Sequence, residues 1–335
     1  MKAVHQTLDI MSSVKTRTAI VAAKIGLTVT VLYWLLSQTS LLGLRTAFDQ
    51  IPVVVLVAAV LLHLLVFLLA GVRWWLLLRS VVHDIALLHV LPSYYLGIFF
   101  NNLLPSSMGG DAVRILHLRW SGMQTQTLIG SALVDRIVGL AAVLLMGMMA
   151  VLIARPGLVP QSLVAILAGL TLSAAVVLGL AWTPAAVRLL DRLASRYSET
   201  RIRRWFIEVA ALGHAAASAR RSVVAALLLS IALQSLVIAV YFLIARSLDI
   251  AAPLVSYFVI VPLVFIAASL PISLGGLGVR EGALVGLLAL IGVERHSAAN
   301  LSIVYLVVML AASLPGALVL LMPRKPAHSR EVSSP

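Results

Sequence analysis

Long uninterrupted apolar runs alternate along this chain with short polar breaks, and most of the runs are longer than a soluble core element needs. Six of them, at 18–38, 51–72, 127–154, 160–182, 222–245 and 298–322, reach the roughly 20 residues with which an α-helix crosses about 30 Å of hydrocarbon. Two further apolar stretches, 85–120 and 253–293, are each interrupted by a phrase rich in proline and glycine. Because backbone polar groups in lipid must be satisfied within the protein, these runs predict helices. The expected fold is an all-α polytopic membrane protein of about six full transmembrane helices plus two re-entrant or broken helices.

The interrupting phrase occurs once in each half. Residues 104–114 read LPSSMGGDAVR and residues 270–280 read LPISLGGLGVR, with seven identities in eleven positions across an offset of 166 residues. If both broken elements enter and leave on one side, the preceding spans run in opposite directions and the halves form an inverted repeat. Interrupted helices at matching positions of inverted halves point to a transporter site near the bilayer midplane. Pro105 and Pro271 lack an N–H and clash with the preceding turn, while Gly109, Gly110, Gly275 and Gly276 admit conformations that other residues resist. A half-helix is expected to restart near Gly110 and again near Gly276, its unpaired N–H groups facing inward where an anion can bind.

Around these restarts stand Asn101 and Asn102 before the first break, Ser107 and Ser273 as capping or phosphate-donating hydroxyls, and Arg114 and Arg280 one turn along. The same residues also admit a purely structural reading. Pro-Gly breaks can simply kink helices, and Asp111 can neutralise its own helix end and pair with Arg114. Glu281 follows Arg280, whereas Ile115 follows Arg114, so the two copies are not chemically equivalent. The stretch GLGVREG lacks the spacing and the preceding strand of a nucleotide-binding loop.

Composition agrees with the pattern: 61% of the 335 residues are hydrophobic and only 11% charged. The formal charge of +13 reads as topology rather than as nucleic-acid binding, since Lys and Arg near span ends collect on the cytoplasmic side and attract anionic headgroups. Most basic residues fall on one face of the expected topology, leaving Arg45, Arg155, Arg246 and Arg295 on the other, which puts both termini in the cytoplasm. Lys15 and Arg17 precede a run that lacks a small-x-small cleavage site and is read as a retained span. Zero cysteine excludes disulfides, thiolate nucleophiles and Cys-ligated metals. Trp74 and Trp75, beside Arg73 and Arg79, read as an interfacial belt ending the second span.

The organisation predicted is an N-terminal segment with the first transmembrane helix (1–50), a first membrane repeat (51–182), a basic amphipathic cytoplasmic linker (183–221), a second membrane repeat (222–322) and a disordered tail (323–335). The linker carries eight Arg against Asp191, Glu199 and Glu208. It suits either helices lying on the cytoplasmic leaflet or a solvated connection that enforces topology.

Inside the third full span stand Asp135 and Arg136. Ionisable groups there are costly and face a cavity or a partner. At about 100° apart on a helix the two are poorly placed to pair with each other, so Arg136 is expected to reach Asp111, Glu281 or a substrate, or else to lock two helices together. His63, Gln234 and Ser235 are read as satisfied interhelical hydrogen bonds rather than as a proton relay. No Ser-His-Asp grouping, metal motif or paired carboxylate occurs, so the reading is of a non-enzyme with no cofactor and no metal.

With FFNNLLPSSMGGDAVRILHL, the downstream VDRIVG and LPISLGGLGVREGA, the chain resembles the flippase-like transmembrane family named for the membrane region of lysylphosphatidylglycerol synthase, the multiple peptide resistance factor. The resemblance covers about residues 15 to 322. It implies movement of lipids between leaflets of a bacterial inner membrane, with Asn101 to Arg114, Asp135, Arg136 and Pro271 to Glu281 as the functional region. The synthase also carries a soluble aminoacyl-transferase domain, for which a chain ending soon after its last span leaves no room, so no aminoacylated lipid is implied. The expected function is a flippase-like transporter of an anionic phospholipid. Two alternatives stand beside it: a small-anion channel, and a non-transporting membrane subunit that partners a lipid-modifying enzyme.

Overall fold

The computed structural model describes residues 23–31, 33–39, 41–82, 84–104, 109–120, 122–154, 157–181, 220–270, 273 and 275–322. Most of the expected linker, the tail, and the sequence-predicted residues Pro105, Ser107 and Pro271 lie outside them. Among the described residues the chain is helix joined by short turns, without strand. The first helix, α1 (Ala23–Ser37), is followed at a bend of 75° by α2 (Leu41–Gln50). Then come α3 (Val53–Arg79), the pair α4 (Leu87–Leu103) and α5 (Gly109–Arg119), α6 (Thr125–Ile153) and α7 (Gln161–Ala181). The second half holds α8 (Arg220–Ser247), the pair α9 (Leu254–Ser269) and α10 (Val279–Ala289), α11 (Arg295–Ser313) and the short α12 (Pro315–Leu318).

Four helices, α3, α6, α8 and the stretch Arg295–Leu321, are long and apolar enough to cross a membrane, or five if the bent pair α1 and α2 forms one span. Among the described residues the protein is thus an all-helical, multi-pass membrane protein, with four or five such spans there against the six expected of the whole chain. The difference lies at α1, which bends, and at α7, whose described apolar part is only Gln161–Val176. Arg220 and Arg221, expected in the linker, open α8.

The breaks follow from the sequence. A residue before proline is pushed out of the helical region, and Leu104 and Leu270, each preceding a proline, are extended at ψ 143° and 136°. The first restart comes at Gly109, near expectation. The second comes only at Val279, because Gly275, Gly276 and Gly278 all take positive φ and form a tight turn first. Gly278 stands where the first copy has Ala112, which resists that conformation.

Helices in lipid gain nothing from hiding apolar surface from one another, so close packing through small residues holds them. A methyl group on Gly110 would come within 2.2 Å of the Gly97 carbonyl, so α4 and α5 touch backbone to backbone. The tips of the two broken elements also meet: a methyl on Gly275 would come within 2.3 Å of the Asn101 carbonyl. One core cluster joins α3, α6, α7, α8, α9, α10 and α11. A second, built on Trp74, Leu78, Val90, Leu118 and Leu128, seats the first broken element against α3 and α6. Val53, Val54, Val57, Leu61 and Leu68 leave an exposed apolar stripe along α3, a surface suited to acyl chains.

Candidate functional site

Between α3, α4, α5, α6, α8, α9, α10 and α11 lies a cavity of about 500 Å³, with Arg73, Asp111, Arg114, Asp135, Arg136 and Arg280 on its wall. That volume falls within the roughly 300–1,000 Å³ of small-molecule sites. Its charged side chains form a connected chain. Asp135, with only 3% of its side chain exposed, accepts a 2.7 Å hydrogen bond from Arg73 Nε and 3.4 Å contacts from both terminal nitrogens of Arg114. Arg114 also reaches Asp111 at 2.9 Å, and Asp111 takes a 2.5 Å bond from Arg136 Nε. Arg73 additionally donates to Ser230 Oγ at 3.0 Å. Three arginines thus share two carboxylates, leaving the cluster one positive charge in excess.

Each member is held by its helix and its neighbours. The Arg114 guanidinium lies 4.3 Å from the Trp74 ring centre and 5.0 Å from that of Tyr94, so aromatic faces as well as carboxylates stabilise its charge. Trp74 is itself fixed by a 3.1 Å hydrogen bond to Ser131 Oγ. Arg136 is different in kind: a third of its side chain is exposed, which leaves it the most accessible cation of the cluster.

The second broken element contributes a separate, internally neutralised pair. Glu281, fully buried, accepts from the Gly278 amide at 2.6 Å and so caps the start of α10, while also accepting from Arg280 Nε at 2.8 Å. Arg280 sits 5.8 Å from the ring centre of Tyr305, which stacks on Tyr241 at 3.7 Å.

Of the sequence-predicted residues, Asn101, Asn102, Gly110, Asp111, Arg114, Asp135, Arg136, Gly275 and Arg280 line this one cavity. Gly109 packs on Leu104 and Gly276 on Ala268, and Glu281 acts from behind through Arg280. Of the two roles expected for Ser273, the cap is not made: its hydroxyl is buried without a hydrogen-bond partner. Both readings of Asp111 hold together, since it pairs with Arg114 and with Arg136.

Two expectations are corrected. Arg73 and Trp74 do not face outward as a belt would: α3 continues through Leu76, Leu77 and Leu78 to Arg79, and both side chains are buried in the protein. Trp75 and Arg79 do stack at the helix end, at 5.1 Å. The other correction concerns His63 and Gln234, whose Nδ1 and Nε2 atoms have no hydrogen-bond partner. Sequence reasoning also missed Ser230, Tyr94, Tyr241 and Tyr305. For Arg73 a signal existed: three leucines after Trp75 extend the span beyond the arginine.

No curated protein and no solved structure matches this chain. Over residues 21–316 it matches the family described as lysylphosphatidylglycerol synthase TM region.

Proposed function

The chain belongs to the lysylphosphatidylglycerol synthase transmembrane-region family, and from that premise we propose that it is a flippase-like transporter, not an enzyme, moving an anionic phospholipid between leaflets of a bacterial inner membrane. Both termini face the cytoplasm, and the two halves stand as inverted repeats around the joined tips. The observation that carries the reading is the interior cavity in which Arg73, Arg114 and Arg136 outnumber Asp111 and Asp135. A headgroup crossing the bilayer must exchange its hydration for fixed partners, and arginine offers a phosphate paired N–H donors. The carboxylates hold the arginines charged and oriented until a phosphate competes for them. Arg136, the accessible member, meets the phosphate first, and Arg280 supplies a second cation at the other broken element. The acyl chains remain in lipid, beside apolar outer faces such as that of α3.

Reconstitution tests this. Proteoliposomes holding headgroup-neighbour-labelled phosphatidylglycerol are treated with a membrane-impermeant quencher, and the rate at which inner-leaflet label becomes accessible is followed. Acceleration over empty liposomes, lost in Arg280→Ala, is expected. Exchange no faster than in empty liposomes, for several anionic lipids and with or without a membrane potential, overturns the proposal.

A further inference from the structure

Besides Asn102, the cavity residues that the charge network leaves with an unpaired side-chain atom are His63 and Gln234. Both line the cavity, and they are 2% and 3% exposed. Neither His63 Nδ1 nor Gln234 Nε2 has a hydrogen-bond partner in the protein. Buried polar groups are ordinarily paired, and an unpaired one calls for an explanation. Both residues stand on the cavity wall, the side from which a bound molecule approaches them.

Their positions are informative. Helices α3 and α8 run antiparallel: Leu77 clusters with Ala226, Arg73 bonds Ser230, and Val66 and Ala70 cluster with Leu233. Gln234 follows Ser230 by four residues, so it lies one turn along the same helix face as the hydroxyl that receives Arg73. His63 lies ten residues before Arg73, about 15 Å away along the helix axis. There its ring is held edge-on by Phe67 at 4.8 Å and by Tyr305 at 5.4 Å. Tyr305 is also the ring beside Arg280. Each arginine station therefore has one neutral, unpaired hydrogen-bonding group next to it: Gln234 beside Arg73, and His63 beside Arg280.

We infer that Gln234 and His63 bind uncharged hydroxyl groups of the headgroup while the neighbouring arginines hold its phosphate, so that the site selects phospholipids whose headgroups carry hydroxyls. The pairing of a cation with a neutral donor or acceptor at both stations matches a headgroup in which phosphate and hydroxyls lie a few atoms apart. An amide and an imidazole each donate and accept, as a hydroxyl requires. A headgroup without hydroxyls leaves both groups unpaired, and sites built around buried polar groups discriminate strongly against ligands that fail to satisfy them. This inference rests on the anionic-lipid reading above, and its test separates the two.

Full-length protein in detergent is titrated with four lipids of matched acyl chains, and binding is read by native mass spectrometry. Phosphatidylglycerol carries phosphate and hydroxyls, phosphatidylmethanol phosphate alone, glucosyl-diacylglycerol sugar hydroxyls without phosphate, and the 3-O-methyl ether of diacylglycerol neither. For the native protein, phosphatidylglycerol should bind about tenfold more tightly than phosphatidylmethanol, the effect of one or two hydrogen bonds. Gln234→Leu and His63→Phe should each remove part of that preference and the double variant all of it. Phosphatidylmethanol should bind the variants at least as tightly as the native protein, because no buried polar group is then left unpaired, and this binding also reports that the variants are folded. Equal binding of the two phospholipids by the native protein, or a double variant that weakens both alike, overturns the inference. Failure of the anionic reading looks different: phosphatidylglycerol then binds no better than glucosyl-diacylglycerol, while the hydroxyl preference persists within each pair.

Discussion

Replacing Asp135 with leucine removes the carboxylate that joins two buried arginines, and the structure fixes how the loss divides. Arg114 keeps Asp111 at 2.9 Å and its aromatic faces, whereas Arg73 keeps the hydroxyls of Ser230 and Tyr94 but no carboxylate. The cluster's excess rises from one positive charge to two in a region where Asp135 is 3% exposed. Breaking a buried ion pair from one side costs about 3–5 kcal/mol, and with Arg114 still paired most of that falls on Arg73. At about 2 °C per kcal/mol for a long chain, Asp135→Leu should lower the melting midpoint by roughly 6–10 °C. Arg73→Met/Asp135→Leu removes one charge of each sign and returns the excess to one. It should therefore recover most of the loss, giving a coupling of about 2 kcal/mol or more in a double-mutant cycle. Fluorescence-detected size-exclusion of heated detergent samples measures all four proteins. A single variant that loses less than about 1 kcal/mol, or a double variant whose loss is the sum of the singles, would refute the reasoning.

Gly110→Ala places a methyl 2.2 Å from the Gly97 carbonyl and should destabilise by about 1–3 kcal/mol or more, seen in the same thermal assay. Gly169→Ala meets nothing within 4 Å on α7 and should be neutral or stabilising by up to about 1 kcal/mol. Gly275→Ala combines a 2.3 Å approach to the Asn101 carbonyl with a φ of +56°, so leaflet exchange should fall with stability as the two tips are forced apart. Glu281→Gln leaves an amide oxygen able to accept from the Gly278 N–H but takes the opposite charge from Arg280. A loss of about 1–3 kcal/mol is expected, less than for Asp135→Leu. Trp74→Phe removes the bond to Ser131 and should cost about 1 kcal/mol, together with weaker stacking on Arg114.

What the sequence revealed was local chemistry. Both breaks are legible because proline constrains the residue before it, and Leu104 and Leu270 are extended as that constraint demands. The pairing of Arg136 with Asp111 was within reach because two costly charges in neighbouring apolar segments need partners. Arg73 was missed although the three leucines after Trp75 hinted at it, since an arginine beside two tryptophans looks the same at a membrane interface as inside a bundle. Only the length of α3 and a partner 62 residues away distinguish them. The late start of α10 depends on Gly278, a difference between the copies that their shared letters obscure. His63 and Gln234 were read as satisfied because isolated polar groups on spans usually are, and only the geometry reveals that their partners are missing.

The central claim is that an anionic headgroup enters the cavity between the two broken helices, and photoaffinity mapping tests it most directly. Phosphatidylglycerol with a diazirine on its headgroup is irradiated with the reconstituted protein, and the adducts are located by peptide mass spectrometry. The account predicts adducts on cavity residues of α4, α5, α6 and α10, suppressed by excess unlabelled phosphatidylglycerol and by Arg114→Ala/Arg136→Ala. Adducts confined to outward residues such as Val57 and Leu61, unaffected by either change, would contradict it.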